Sequence, residues 1–110
     1  MRIVSRAELL DMPRGTLFAQ ASGAGVYGEL CIFGGPFGPD FTERSITGCQ
    51  SDGSDDQWER EEAMWDSGAS YPVNEDFGRE GYFDHSMRYV VYEAADIASI
   101  VAGLQGDDNE

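Results

Sequence analysis

Twenty-one carboxylates stand beside seven arginines, one histidine and two cysteines in this sequence, so any chemistry it performs must be built mostly from acids. A nucleophile activated by histidine would have to use His85. Its setting, Asp84-His85-Ser86, has no nucleophile elbow to lift a serine toward a substrate, and His85 reads as a surface or strand-entry residue. Paired carboxylates can act as general acid and base. That work needs a pocket giving the two groups contrasting environments, and 110 residues leave little room for one. No catalytic residue is therefore expected.

Metal and cofactor motifs fail on spacing. Cys31 and Cys49 lie eighteen positions apart, with no CxxC and no histidine pair nearby. A zinc site would need about four ligands, so the cysteines read as reduced thiols of a cytosolic protein, with a single disulfide open only if their strands are neighbours. Asp52-Gly53-Ser54-Asp55-Asp56-Gln57 resembles the start of a calcium loop. The sixth and twelfth positions of such a loop require Gly and Glu, and here they hold Gln57 and Ala63. Gly23-Ala24-Gly25-Val26-Tyr27-Gly28 matches GxGxxG, but strand-like residues follow where a dinucleotide site needs a helix. It reads as a hairpin turn. No metal and no cofactor is expected.

The acids themselves carry the main signal. Asp55, Glu59, Glu62 and Asp66 follow a 4-3-4 spacing, which places them along one face of a helix, with Asp56 beside them. Trp58, Met64 and Trp65 would supply its buried side. Successive carboxylates on such a face lie about 5–6 Å apart along the axis, the order of phosphate spacing on a nucleic-acid strand. Like charges so placed cost a few tenths of a kcal/mol per pair, about enough to make a use for the stripe plausible. Glu75, Asp76, Glu80 and Asp84 extend the acidic surface if their loop folds near the helix. The plainer reading is a solvated face that keeps the protein in solution.

The surrounding composition fits a binder of basic surfaces. Net charge is −14, and 41% of residues are hydrophobic, too many for a wholly disordered chain. Residues 1–50 are nearly neutral, whereas residues 51–84 hold eleven acids against two arginines. Such a charge repels phosphates, which argues against direct binding to DNA, RNA or an anionic membrane surface. Basic proteins are the natural partners. No apolar run approaches the roughly 20 residues of a membrane span. The opening, Met1 to Glu8, lacks the long apolar stretch and cleavage pattern of a signal peptide, so a cytoplasmic location is expected.

The elements that must position these residues read as one α+β domain over residues 1–105, with 106–110 a frayed acidic tail. Ile3-Val4 is a short strand or lead-in. Ser5-x-x-Glu8 predicts a capping box opening a helix over 6–11 that buries Leu9 and Leu10. Strands are expected at 16–20, 26–33, 41–49 and 88–92, the last from Tyr89-Val90-Val91-Tyr92. The Gly/Pro-rich stretch 34–39 reads as a loop, as do 50–54 and 68–84. The acidic helix spans 57–66, capped by Ser54 or Asp55. A last helix over 94–104 places Ile97, Ile100, Val101 and Leu104 at i, i+3, i+4 and i+7, a stripe expected to cover one face of the sheet. The expected architecture is an antiparallel sheet of about four strands with two to three helices packed on one side.

The opening Met1-Arg2-Ile3-Val4-Ser5-Arg6-Ala7-Glu8-Leu9-Leu10 with Met12-Pro13-Arg14-Gly15-Thr16-Leu17-Phe18, and the ending Tyr89-Val90-Val91-Tyr92-Glu93 into Asp96-Ile97, resemble small uncharacterised phage and prophage proteins. In size and acidity the chain is also similar in type to anti-CRISPR proteins. That resemblance implies an inhibitor in the host cytoplasm, a monomer or small homo-oligomer, docking on a basic nucleic-acid channel such as that of a Cascade-type effector. The alternatives are an accessory interaction protein whose acidity serves solubility only, and an antitoxin-like antagonist.

Overall fold

A computed structural model describes residues 1–106. The expected frayed tail therefore lies, beyond Gly106, outside the described residues. The chain is α+β, with one seven-stranded antiparallel sheet and three helices. Its elements are β1 (Arg2–Ser5), α1 (Arg6–Leu10), β2 (Leu17–Gly23), β3 (Val26–Tyr27), β4 (Cys31–Phe37), β5 (Asp40–Ser45), α2 (Ser54–Ser67), β6 (Gly78–Arg79), β7 (Arg88–Tyr92) and α3 (Ala94–Leu104). The strand order is β1-β7-β2-β4-β5-β6, with β3 paired to the end of β2. The four expected strands correspond to β2, β4, β5 and β7, β1 falls at the expected short strand or lead-in of Ile3-Val4, and β3 and β6 bring the total to seven. The two-residue pieces are too short to carry an alternating pattern.

The capping box at Ser5 forms as expected. Ser5 Oγ accepts from the Glu8 backbone N–H at 3.1 Å, and Glu8 Oε1 accepts from the Ser5 N–H at 2.9 Å. This fixes a short α1 whose Arg6 and Leu9 point into the core. The core is aromatic: Phe18, Phe33, Phe41 and Tyr89 meet mostly edge to face, with ring centroids 5.6–6.5 Å apart. Val4, Leu9, Cys31 and Val91 complete it. Strand β7 lies between β1 and β2, so its Tyr89, Val90 and Val91 are all buried.

Three expectations are corrected. The stretch 34–39 is not a loop. Residues Gly34 to Phe37 continue β4, with Gly34 at a register shift and Gly35 to Phe37 paired with β5, and the chain turns at Gly38, whose φ of +61° suits glycine. Gly34 is needed there because a Cβ would overlap Thr42 Oγ1 and lie 2.7 Å from Phe77 Cδ2. Pro36 is tolerated because β2 pairs with β4 only at Cys31 and Ile32, leaving Pro36 with β5 as its one neighbouring strand. The expected strand 26–33 is split at Gly28–Leu30 into β3 and β4. Third, α3 does not cover the sheet, and neither α2 nor α3 contains a buried residue. Ile97 is half-buried, but Ile100, Val101 and Leu104 face solvent, Leu104 with 82% of its surface exposed. The core is instead closed by Leu9 of α1, with Leu10, Met12 and Met87 packed against it.

Candidate partner-binding site

Helix α2 starts at Ser54, three residues before the expected start at 57. Its N-cap is Gly53, and neither Ser54 nor Asp55 caps it. Asp56 instead accepts from the Asp52 backbone N–H at 2.9 Å and pairs with Arg60 at 3.1 Å, one turn on. Carboxylates in this first turn also oppose the positive end of the helix dipole. Arg60 anchors the inner face: it donates to the Gln50 carbonyl at 2.8 Å and lies over the Tyr71 ring, 4.9 Å from its centroid. Gln50 in turn holds the following loop, donating to Asp76 at 2.7 Å and accepting from the Glu75 N–H at 2.6 Å. Asn74 ties the same loop to Ser45 and Gly48.

The outer face of α2 carries Asp55, Glu59, Glu62 and Asp66, all exposed, as the spacing implies. The expectation for Trp58 and Trp65 is corrected: they do not face inward. Trp58 is 64% and Trp65 89% exposed, and with Glu61, Glu62 and Asp66 they line an open recess of about 320 Å³. The inward side consists of Asp56, Gln57, Arg60, Ala63 and Met64, each only partly buried. Hydrophobicity alone places tryptophan inside. The position on the helix decides otherwise, since 58 and 65 are seven residues apart and fall beside the acidic stripe.

The remaining expected site residues separate. Glu75 and Asp76 lie exposed on the loop that Gln50 holds near α2. Asp84 is exposed, and hydrogen bonds from the Ser86 hydroxyl and N–H hold its carboxyl below the usual range. Glu80 leaves the surface set, because its side chain is only 3% exposed and its Oε1 pairs with Arg6 at 3.0 Å.

Arg6 is the centre of a charged cluster that the sequence reading does not anticipate. Its side chain is 1% exposed and lies 5.0 Å from the Phe41 ring centroid. It donates to Tyr89 Oη at 3.0 Å and to the Pro39 carbonyl at 3.3 Å, and it faces Asp40 at 3.6 Å. Burial would raise the carboxyl of Asp40, yet N–H donors from Gly81 and Phe41 and the Arg79 guanidinium hold it below its ordinary value. One signal was available: Arg6 precedes Leu9 and Leu10 by three and four residues, so it shares their helix face.

Next to this cluster, Glu29, Glu43 and Glu80 line a pocket of about 310 Å³ together with Gln20, Tyr82 and Tyr89. Burial, reinforced by the charges of Glu80, Glu29 and Asp40, pushes the Glu43 carboxyl up to about 6. Burial, then Glu43 and Glu29, pushes the Cys31 thiol up to about 12. Cys31 and Cys49 are both free, and His85 is exposed. Among the described residues, no group of three His, Cys, Asp or Glu side chains is placed to hold a metal ion, and no helix is long and apolar enough to cross a membrane.

No family model, no curated protein and no solved structure matches this chain.

Proposed function

We propose that the protein is a non-catalytic inhibitor of anti-CRISPR type, which docks the outer face of α2 on a basic nucleic-acid-binding surface of a host defence complex such as a Cascade-type effector. One observation carries this reading: two exposed tryptophans lie beside four exposed carboxylates on a single helix face. Carboxylates attract arginines and lysines, and they compete with phosphate for the same groups. Tryptophan is enriched among the residues that dominate binding energy, and its ring face attracts cations. A face built only for solubility has no use for two large exposed indoles.

The test is binding to a purified Cascade-type effector, with circular dichroism as the folding control. Glu59→Lys/Glu62→Lys should weaken binding by several kcal/mol, of the order of 2–5 if both carboxylates are buried at the contact. Trp58→Ala/Trp65→Ala should weaken it by at least about 2 kcal/mol if the indoles are central. A folded charge-reversal variant with undiminished binding removes α2 as the contact. Full activity after reversing Glu75 and Asp76 as well leaves an interaction protein whose acidity only keeps it in solution.

A further inference from the structure

The pocket beside the buried arginine is a separate site from α2. Its lining comes from β2, β4 and the segment before it, β5, β7 and the segment after β6, so most of its walls belong to the sheet itself. Three carboxylates meet there, and two of them, Glu29 and Glu43, form no salt bridge among the described residues. The third, Glu80, is bonded at only one of its oxygens. Oε1 receives Arg6 and the Tyr82 N–H, both at 3.0 Å, while Oε2 is buried without a hydrogen-bond partner, as is Nε of Arg6 across the same ion pair. A buried carboxylate oxygen without a donor is rare in folded proteins, and it marks a place where a donor is wanted. Tyr82, Tyr89 and Phe18 add aromatic walls.

We propose that this pocket binds a guanidinium group. Three features select that chemistry. The site offers negative charge in excess of the cations that contact it, since Arg6 is already shared between Glu80 and Asp40, and Arg79 is held by Asp40 and the Phe37 ring. A planar fork of five N–H donors suits carboxylates on several sides, and it stacks on aromatic faces as an ammonium cannot. Among the described residues no three acids or cysteines are placed to hold a metal ion, which favours an organic cation over a metal. A bound cation opposes the burial and the carboxylate repulsion that together raise the Glu43 carboxyl, and the exposed Tyr82 ring forms part of the pocket lining beside Glu80.

The site is independent of the α2 reading, and its test keeps the two apart. Methylguanidinium, N-acetyl-arginine amide and methylammonium are titrated into the intact protein at low ionic strength and neutral pH, with backbone amide NMR shifts as the readout. Both guanidinium probes should saturate with a dissociation constant of about a millimolar, which is what so few heavy atoms permit. The shifts should centre on Gln20, Cys31, Glu43 and Tyr82. Methylammonium should bind more weakly. Preference for the arginine amide over methylguanidinium would point to a partner's arginine side chain as the source, and the reverse to a free small molecule. Glu43→Gln and Glu29→Gln should each weaken binding about tenfold, the loss expected for one charge-assisted hydrogen bond. Both variants should fold, because neither residue supports an ion pair. Glu59→Lys/Glu62→Lys should bind the probes as the native chain does. Absence of saturable shifts, equal affinity in Glu43→Gln, or shifts confined to α2 would each overturn the proposal.

Discussion

At the residue scale, the balance of the molecule turns on two side chains of opposite character. Arg6 is a buried cation bonded through both terminal nitrogens, with its Nε left unpartnered, and Glu43 is a half-buried anion with no ion pair among the described residues. Removing one member of a buried charge group strands the others without water, at a cost of about 3–5 kcal/mol. Arg6→Met should therefore lose roughly that amount in urea denaturation, a large share of the 5–15 kcal/mol typical of a domain. Glu43 acts in the opposite sense. Its folded carboxyl lies at about 6 against an ordinary 4.5, so between those pH values the folded state holds more protons than the unfolded one. Stability must then fall as pH rises through this window, by about 1–2 kcal/mol in total. The groups facing Glu43 are Glu80, Glu29 and Asp40, which raise it, and Arg6, which lowers it. Asp40, held low, contributes stability that is lost only in more acidic solution. Denaturation curves should show a decline between about pH 4.5 and 6 in the native protein that is absent in Glu43→Gln, with the variant the more stable at neutral pH. None of this was legible as a site in the sequence. Glu43 and Glu80 lie thirty-seven residues apart, and only the pairing of β5 with β6 brings them together.

At the element scale, local signals were readable and their destinations were not. The capping box at Ser5, the strand at 88–92 and the existence of both longer helices follow from cap chemistry, β-propensity and a 3.6-residue period. Periodicity says that a helix has an apolar stripe, not what meets it. For α3 the sheet face was already closed by α1, a five-residue helix that a pattern count underrates. For α2 the acidic stripe was placed correctly, while its tryptophans were assigned inward because hydrophobicity outweighed position. The Gly34-Gly35-Pro36 stretch defeated the strand reading for a different reason: its glycine is set by the approach of Thr42 and Phe77, both distant in sequence. The exposure of α3 carries a direct prediction. Val101→Ser and Leu104→Ser should each change unfolding free energy by no more than about 0.5 kcal/mol, as surface substitutions do. Losses of about 2 kcal/mol or more in urea melts of dilute protein, the scale of large-to-small core changes, would mean that this stripe is covered in solution.

At the scale of the whole molecule, charge is the property that ties folding to the proposed function. A net −14 on 110 residues repels itself, and eleven of the acids fall within residues 51–84, which hold α2, its supporting loop and Glu80. Part of that charge is internally compensated. Arg6, Arg60 and Arg79 are each bound to carboxylates, so the basic residues nearest the acidic surface serve the fold. What remains outward is mostly uncompensated, and salt must act on it in two opposite ways. Screening over about 8–10 Å weakens self-repulsion, so the melting temperature of the free protein should rise between low and moderate salt. The same screening weakens attraction to a basic partner, so binding should fall over that range, chiefly through a slower association rate. The opposition of sign is what makes the measurement decisive, because weaker binding at a salt concentration where the fold is more stable cannot come from unfolding. Thermal melts and association kinetics with the effector, taken in the same buffers, would show both slopes. Binding that is indifferent to salt while the melting temperature rises would separate the two roles, leaving acidity to solubility and assigning the contact to the tryptophans alone.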